Sequence, residues 1–270
     1  MNRWNNRLLF AVLVVISAVF ASCGAGNMSV AAADEPDAAP RQILVLAEEG
    51  TPHQGFCDAT RAWLDGLKDT LNIQTTWVVD LKEMPAGEID KYQLVVHLNY
   101  PPYAWSEASQ QDFMRYIDEG RGSYIGFHHA SLLGDIFDGY SMWQWFSDFM
   151  GSIRWENYIE TLTDGTVHVE DAQHPIMKGV PASFVVPKDE WYTYTTNPRD
   201  HAHVLATVDE DSYVPQSDIR MGDHPVIWVN ENKKARNVYF QFGHDRELYQ
   251  LDAFKQMFRN AIEWCLKDNE

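Results

Sequence analysis

The stretch GRGSYIGFHHAS, residues 120–131, decides the fold. Two glycines end a helix, an apolar run over 123–127 predicts a short buried strand, and His128 and His129 follow it at once. In a parallel α/β sheet, ligands bind at the carboxyl ends of the strands. The stretch therefore predicts both a central strand and the place of a site.

The segments before this stretch alternate between strands and helices. Short apolar runs over 42–47, 75–79 and 93–98 predict three more strands. Asp58 and Ser106 each predict the N-cap of a helix that continues with apolar residues at helical spacing. This order predicts a doubly wound, mostly parallel sheet with right-handed crossovers.

The pattern loosens after the two histidines. A short aromatic helix is predicted over 141–150, and an antiparallel excursion follows with strands at 158–162, 166–169, 183–186, 190–194 and 204–208. Strands at 226–229 and 237–242 and a helix at 251–266 then close the fold. We predict one α/β domain over 41–270.

The composition limits the classes of partner. The 270 residues include 39 acidic and 21 basic side chains, a formal net charge of -18. Such an acidic surface repels phosphate backbones, so we expect no nucleic-acid partner. The hydrophobic content of 45% is sufficient for a full-sized core.

The first 22 residues predict an export signal. Arg3 and Arg7 precede an apolar run over 8–21, which is shorter than the roughly 20 residues that span a membrane. The Ala-Ser-Cys ending resembles a bacterial lipobox and predicts a lipidated Cys23, with ordinary signal cleavage as the alternative. Residues 23–40 predict a flexible tether. We expect an envelope lipoprotein, periplasmic or on the cell surface, that touches the membrane through its lipid only.

The other two cysteines have two alternative fates. Cys57 lies beside the first predicted helix, and Cys265 lies on the apolar stripe of the last one. Export would allow a disulfide between them if those helices are neighbours. The commoner outcome for such residues is burial as free, apolar side chains.

Several separated motifs carry a family resemblance. They are GSYIGFHHA at 122–130, HPI and GVP within 174–181, DEWY at 189–192, PVIW at 225–228 and YFQFGH at 239–244. In this order they resemble the trehalose-utilisation, ThuA-like family, over about residues 41–267. The resemblance implies a flavodoxin-like fold, similar to class I glutamine amidotransferases, and a link to carbohydrate catabolism.

The same resemblance excludes one reaction. In the amidotransferases a nucleophilic cysteine occupies the sharp turn after the strand that matches 123–127. Here His128 or His129 holds that position. Without Cys, Ser or Thr at the tip of the turn, we do not expect a cysteine-dependent glutamine amidotransferase.

Loops after four strands are expected to meet at the carboxyl edge of the sheet. The predicted catalytic residues are His128, His129, Glu190 and His244. The predicted substrate-binding residues are Glu48, His53, Asn99, Tyr100, Tyr103, Trp191 and Asp245. Imidazoles with a carboxylate suit proton transfer, or a divalent metal such as zinc held by His128, His129 and His244. Adjacent strand residues face opposite sides, so His128 and His129 share the site only if the backbone turns sharply.

The aromatic residues near these loops favour a small carbohydrate ligand, because sugar rings stack on aromatic faces. We therefore predict an enzyme, a hydrolase or lyase, that acts on a small sugar, glycoside or oxidised sugar derivative. The alternative is a non-catalytic sugar-binding lipoprotein on the same fold. The reaction itself does not follow from these residues.

Overall fold

The computed structural model describes residues 39–136 and 138–267. The predicted signal peptide, Cys23 and the tether up to residue 38 lie outside the described residues. The strands are β1 (Arg41–Ala47), β2 (Ile73–Val78), β3 (Leu94–Leu98), β4 (Ser123–Phe127), β5 (Trp155–Tyr158), β6 (Thr163–Val169), β7 (Ser183–Asp189), β8 (Tyr192–Tyr194), β9 (His203–Val214), β10 (Pro225–Val229) and β11 (Asn237–Phe240). The α-helices are α1 (Gln54–Leu71), α2 (Glu107–Asp118), α3 (Gln144–Phe149) and α4 (Asp252–Cys265).

Most strands join one mixed sheet, in the order β2-β1-β3-β4-β11-β10-β9-β6-β7. The first five of these are parallel. The remaining four are each antiparallel to the strand before them. Strands β5 and β8 pair separately. The predicted flavodoxin-like, doubly wound sheet with an antiparallel excursion is confirmed.

Helices cover both faces of the parallel part of the sheet. Residues 43–46 of β1 are 0% exposed, as expected for a strand buried on two sides. Successive residues alternate between faces, so Ile43 packs in the core under α1 and α4, and Leu44 packs in the core under α2 and α3. The carboxyl edge is left open for the loops.

Several helix and strand boundaries differ from those predicted from the sequence. Helix α1 begins at Gln54, with His53 in the N-cap position, and not after Asp58. Phe56 and Cys57 are buried, and packing of this extra turn against the core outweighs the capping preference of Asp58. Asp58 instead accepts a hydrogen bond from the Gln54 side chain at 2.8 Å. The strand predicted at 158–162 lies earlier, at Trp155–Tyr158.

The two described cysteines are free and buried, which confirms the apolar alternative. The alternative, a disulfide between Cys57 and Cys265, is not formed. Burial raises the pKa of the Cys57 thiol to about 12. Its Sγ lies 3.8 Å from the carbonyl of Leu98, a weak contact with a central strand.

The described part of the chain contains no helix with the length and apolar character needed to cross a membrane.

Candidate active site

The turn after β4 brings both histidines to the same edge of the sheet. His128 has a φ of +38°, in the left-handed region, and a short 3-10 helix over His128–Ser131 follows. The hydroxyls of Ser131 and Tyr239 donate to the His128 carbonyl, at 3.0 and 2.9 Å. These hydrogen bonds hold the strained residue, so the sharp turn that the histidine pair requires is present.

Four side chains from different loops meet at this edge. His53 follows β1, His128 follows β4, Glu190 follows β7 and His244 follows β11. One nitrogen or oxygen atom of each lies within 4.8 Å of the others. His53 Nε2 is 2.8 Å from His244 Nδ1, while Glu190 Oε2 is 3.4 Å from His128 Nε2 and 3.8 Å from His244 Nδ1. We refer to these four residues as the histidine–glutamate cluster.

His129 belongs to a neighbouring group and not to this cluster. Its Nδ1 forms a short hydrogen bond with Glu48 Oε1. The other oxygen, Oε2, accepts from the Thr51 hydroxyl at 2.6 Å and lies 3.4 Å from His53 Nδ1. The grouping of side chains differs from the set predicted from sequence: His53 and Glu190 lie with His128 and His244, whereas the Glu48 carboxylate holds the His129 ring in the neighbouring group.

Glu48 lies beneath the site and not on its surface. It is 2% exposed, and a buried carboxylate with three polar neighbours has no free face for a substrate. Its contacts in this structure are those of a positioning residue, and its predicted role in substrate binding stays a prediction. It contacts the rings of His53 and His129, which lie 3.7 Å apart between centroids.

Burial and hydrogen bonding set the pKa values of Glu48 and His129. Burial favours a higher pKa for the Glu48 carboxyl, but the hydrogen bond with His129 and the close contact with His53 outweigh it and hold that pKa well below its usual range. Burial lowers the pKa of His129 to about 4 despite the nearby carboxylate. A neutral imidazole that donates its Nδ1–H to an ionised carboxylate accounts for both directions.

Within the cluster, the pKa values of His244 and His128 shift in opposite directions. Burial lowers the pKa of His244 to about 4, and the neighbouring His128 and His53 act in the same direction. For His128, burial acts to lower the pKa, but contacts with Glu190 and Asp189 raise it above its ordinary value. The Glu190 carboxyl is half-buried, which favours a higher pKa, yet the His128 contact brings its pKa below the usual range.

Three positioning groups around the cluster were not predicted from sequence. The Tyr192 hydroxyl lies 3.0 Å from His128 Nε2, and the backbone carbonyl of Gln241 lies 3.0 Å from His128 Nδ1. Asp189 accepts the backbone N–H of Gly243 at 3.0 Å and that of His244 at 3.4 Å. All three lie in the DEWY and YFQFGH motifs, so the motifs contained the only sequence signal for them.

An aromatic pocket lies beside His129, on the other side of the Tyr100 ring. It has a volume of about 300 Å³ and is lined mainly by Asp80, Asn99, Tyr100, Tyr103, Trp105 and Tyr140. The Tyr100 ring stacks on His129, with centroids 4.2 Å apart and planes 28° apart. Tyr100 therefore forms the wall between the pocket and the histidines.

The other predicted substrate-binding residues differ in position. Asn99 lines the pocket, but its amide donates to the Val79 carbonyl and accepts from the Tyr100 N–H, each at 2.7 Å. Asp245 caps a short 3-10 helix by accepting from the Glu247 N–H at 2.8 Å. These contacts give both side chains a role in holding their loops.

The predicted contact between Trp191 and a substrate is wrong. Trp191 is 0% exposed, and its indole N–H donates to the Thr163 carbonyl at 2.8 Å. Its ring packs beside Tyr213 in the core under the antiparallel strands. The alternation of the chain around Glu190 turns the glutamate toward the site and the tryptophan away from it.

The fold and the site together define a doubly wound α/β protein with a histidine-rich centre after its fourth strand. The family profile described as ThuA, trehalose utilisation, matches residues 42–265. The chain therefore belongs to the ThuA family, whose description associates it with carbohydrate handling.

Solved structures share this fold. A putative ThuA-like protein from Bacteroides uniformis ATCC 8492 matches with a TM-score of 0.76 and 24% identity, over 87% of this chain and 96% of that one. A putative ThuA-like protein from Parabacteroides merdae ATCC 43184 matches with a TM-score of 0.65 and 17% identity, over 84% and 90%. A β-galactosidase from Bacillus circulans sp. alkalophilus matches over 83% of this chain but only 31% of its own, with a TM-score of 0.54 and 15% identity. No functionally curated protein matches the chain.

Proposed function

We propose that the protein is an enzyme of carbohydrate breakdown that acts on a small sugar, glycoside or oxidised sugar derivative. The histidine–glutamate cluster is its reaction centre, and the aromatic pocket holds the sugar. The observation that carries this proposal is the position of Tyr100, whose ring lies against His129 and also lines the pocket. A sugar stacked in the pocket is thus separated from the cluster by the rings of Tyr100 and His129, and the His129 ring lies 3.7 Å from that of His53.

The size and lining of the pocket support a carbohydrate ligand. Its volume of about 300 Å³ lies at the lower end of ligand pockets, which suits a molecule of one or two sugar rings. Aromatic faces at the rim of the pocket accept the apolar C–H face of a sugar. Tyr140 is 47% exposed and forms part of that rim.

Removing the stacking wall tests this function. Tyr100→Ala is expected to weaken binding of the cognate sugar at least about 5-fold, because a lost aromatic stacking contact costs about 1 kcal/mol or more. Isothermal titration calorimetry with a panel of disaccharides and their oxidised derivatives measures the change. Tyr100→Phe keeps the ring and serves as the matched control, with affinity close to wild type.

The outcomes of this experiment separate the two hypotheses. Equal affinity of Tyr100→Ala and wild type would contradict the assignment of the pocket. If sugars bind at the pocket but none of them is converted to a product, the protein is instead a non-catalytic sugar-binding protein.

We also propose that the protein is an envelope lipoprotein anchored through Cys23. The support is the sequence alone: a short apolar run followed by Ala-Ser-Cys. Cys23→Ser is expected to abolish incorporation of a labelled fatty acid and to move the protein out of the membrane fraction. Ser29→Ala, in the same segment, is the control and keeps both. Unchanged labelling of Cys23→Ser would refute the anchor.

A further inference from the structure

We propose that His53, His128, His244 and Glu190 form a binding site for one divalent transition-metal ion of the zinc type. This inference deepens the proposed function, because it assigns a cofactor to the same reaction centre and rests on that centre being the active site. Three imidazoles and one carboxylate are a donor set that zinc and similar ions prefer.

The distances within the cluster match those of a coordination sphere. Tetrahedral zinc with ligand bonds of 2.0–2.1 Å places neighbouring donor atoms about 3.4 Å apart. The three measured pairs are 2.8 Å for His53–His244, 3.4 Å for His128–Glu190 and 3.8 Å for His244–Glu190. These three values bracket the ideal separation, and every donor pair of the cluster lies within 4.8 Å, so modest side-chain shifts would bring the donors into place.

The outer nitrogen of two rings already faces an acceptor. His128 Nδ1 lies 3.0 Å from the Gln241 carbonyl, and His53 Nδ1 lies 3.4 Å from the Glu48 carboxylate. A proton on His128 Nδ1 leaves the Nε2 lone pair of that ring pointing into the cluster. His53 Nδ1 makes no hydrogen bond with any residue that the structure describes, and a small shift toward Glu48 would give it the same kind of partner. Metal-binding histidines commonly have such outer carboxylate or carbonyl partners, which fix the tautomer and the ring orientation.

One contact competes with the ion. In this structure the Tyr192 hydroxyl is hydrogen-bonded to His128 Nε2, at 3.0 Å. The same hydroxyl also interacts with Glu190. A small rotation toward that carboxylate keeps the hydroxyl satisfied and frees the His128 lone pair.

The neighbouring group of Glu48, His53 and His129 is a weaker candidate. It offers three donors and not four. Both oxygens of Glu48 are already engaged, one with His129 and the other with Thr51. Within the described residues, these contacts favour the cluster as the metal site and Glu48 as its outer support.

The cluster also has an accessible side. The side chains of His244 and Glu190 are 17% and 15% exposed, whereas that of His128 is 3% exposed. An ion can therefore reach the donors from solvent. A bound ion of this type supplies Lewis-acid polarisation of a substrate oxygen.

Metal analysis of the purified full chain tests the site. After removal of metal with a chelator, wild type is expected to take up one zinc ion per chain in competition with a chromophoric chelator. His244→Ala and Glu190→Ala are each expected to lower zinc affinity by about 100-fold or more. Cobalt(II) in place of zinc is expected to give the strong visible absorption of a low-symmetry, four- or five-coordinate site. His203→Ala, which removes a surface histidine beside Asp171 and Glu231, is the matched control and leaves affinity unchanged.

A second measurement keeps the test independent of folding. Zinc is expected to raise the thermal unfolding midpoint of wild type and of His203→Ala but not of His244→Ala. An ion that binds only the folded protein stabilises it, and His244→Ala lacks one of the ligands. No stoichiometric uptake by wild type, or loss of uptake only in His203→Ala, would overturn the metal site. Sugar binding is measured on the same metal-free protein. If the protein binds sugar but takes up no zinc, only the proposed metal site is contradicted. If it takes up zinc but binds no sugar and forms no product, only the proposed function is contradicted.

Discussion

Glu48→Ala is expected to lower the free energy of unfolding by about 3–5 kcal/mol, the usual cost of removing one partner from a buried ionic network. Glu48 is 2% exposed and contacts His129, His53 and the Thr51 hydroxyl. Without the carboxylate, the His129 Nδ1–H and the Thr51 hydroxyl lose their acceptor inside the protein. The loss also leaves a cavity beneath the histidines.

Equilibrium unfolding in urea measures this effect. Glu49→Ala is the matched control, since Glu49 is the next residue of the same loop and is exposed, and we expect it to change stability by less than about 0.5 kcal/mol. Glu48→Gln is expected to lie between the two, because the amide fills the space but cannot satisfy the same donors with an ionised oxygen. Equal stabilities of Glu48→Ala and Glu49→Ala would show that the network contributes nothing.

Glu190→Gln is expected to lower turnover of the cognate sugar derivative by about 10²–10³-fold, the range for losing one electrostatic contact at a reaction centre. Glu190 supplies the only carboxylate of the histidine–glutamate cluster, and its Oε2 lies 3.4 Å from His128 Nε2. The amide has nearly the same shape, and the side chain is only 15% exposed, so the effect reports the lost charge and not a change of packing.

Product formation under saturating substrate measures this change, together with the sugar affinity of the same variant. We expect affinity to change by less than about 3-fold, because the stacking wall at Tyr100 is untouched. Glu247→Gln is the control, since this residue pairs with Lys188 at the surface and lies outside the cluster. Full turnover by Glu190→Gln would remove Glu190 from the reaction centre and would require another group to take its role.

Local patterns in the sequence predicted the fold well. Apolar runs of four to six residues identified the parallel strands, because a strand buried on both faces is apolar throughout. The strand at Ser123–Phe127 matches its predicted bounds fully. Boundaries set by tertiary packing were less accurate: α1 begins one turn early, at Gln54, where burial of Phe56 adds more stability than a cap at Asp58.

The site was predicted in location but not in detail. Loops after parallel strands meet at one edge whatever their residues, so His53, His128 and His244 could be assigned to the same place. Which of them share a contact depends on backbone turns and on buried partners. The exchange of His129 for His53 in the cluster follows from the Glu48 carboxylate.

The sequence by itself determined the doubly wound order of elements, the family and the edge at which GRGSYIGFHHAS ends, because apolar periodicity and motif spacing are local properties of the chain. Only the tertiary structure decided that His128 turns into the left-handed region and that Trp191 lies in the core. It also decided that the Glu190 carboxylate meets three imidazoles. These features depend on loop paths and on contacts between residues distant in the chain, which no local pattern encodes.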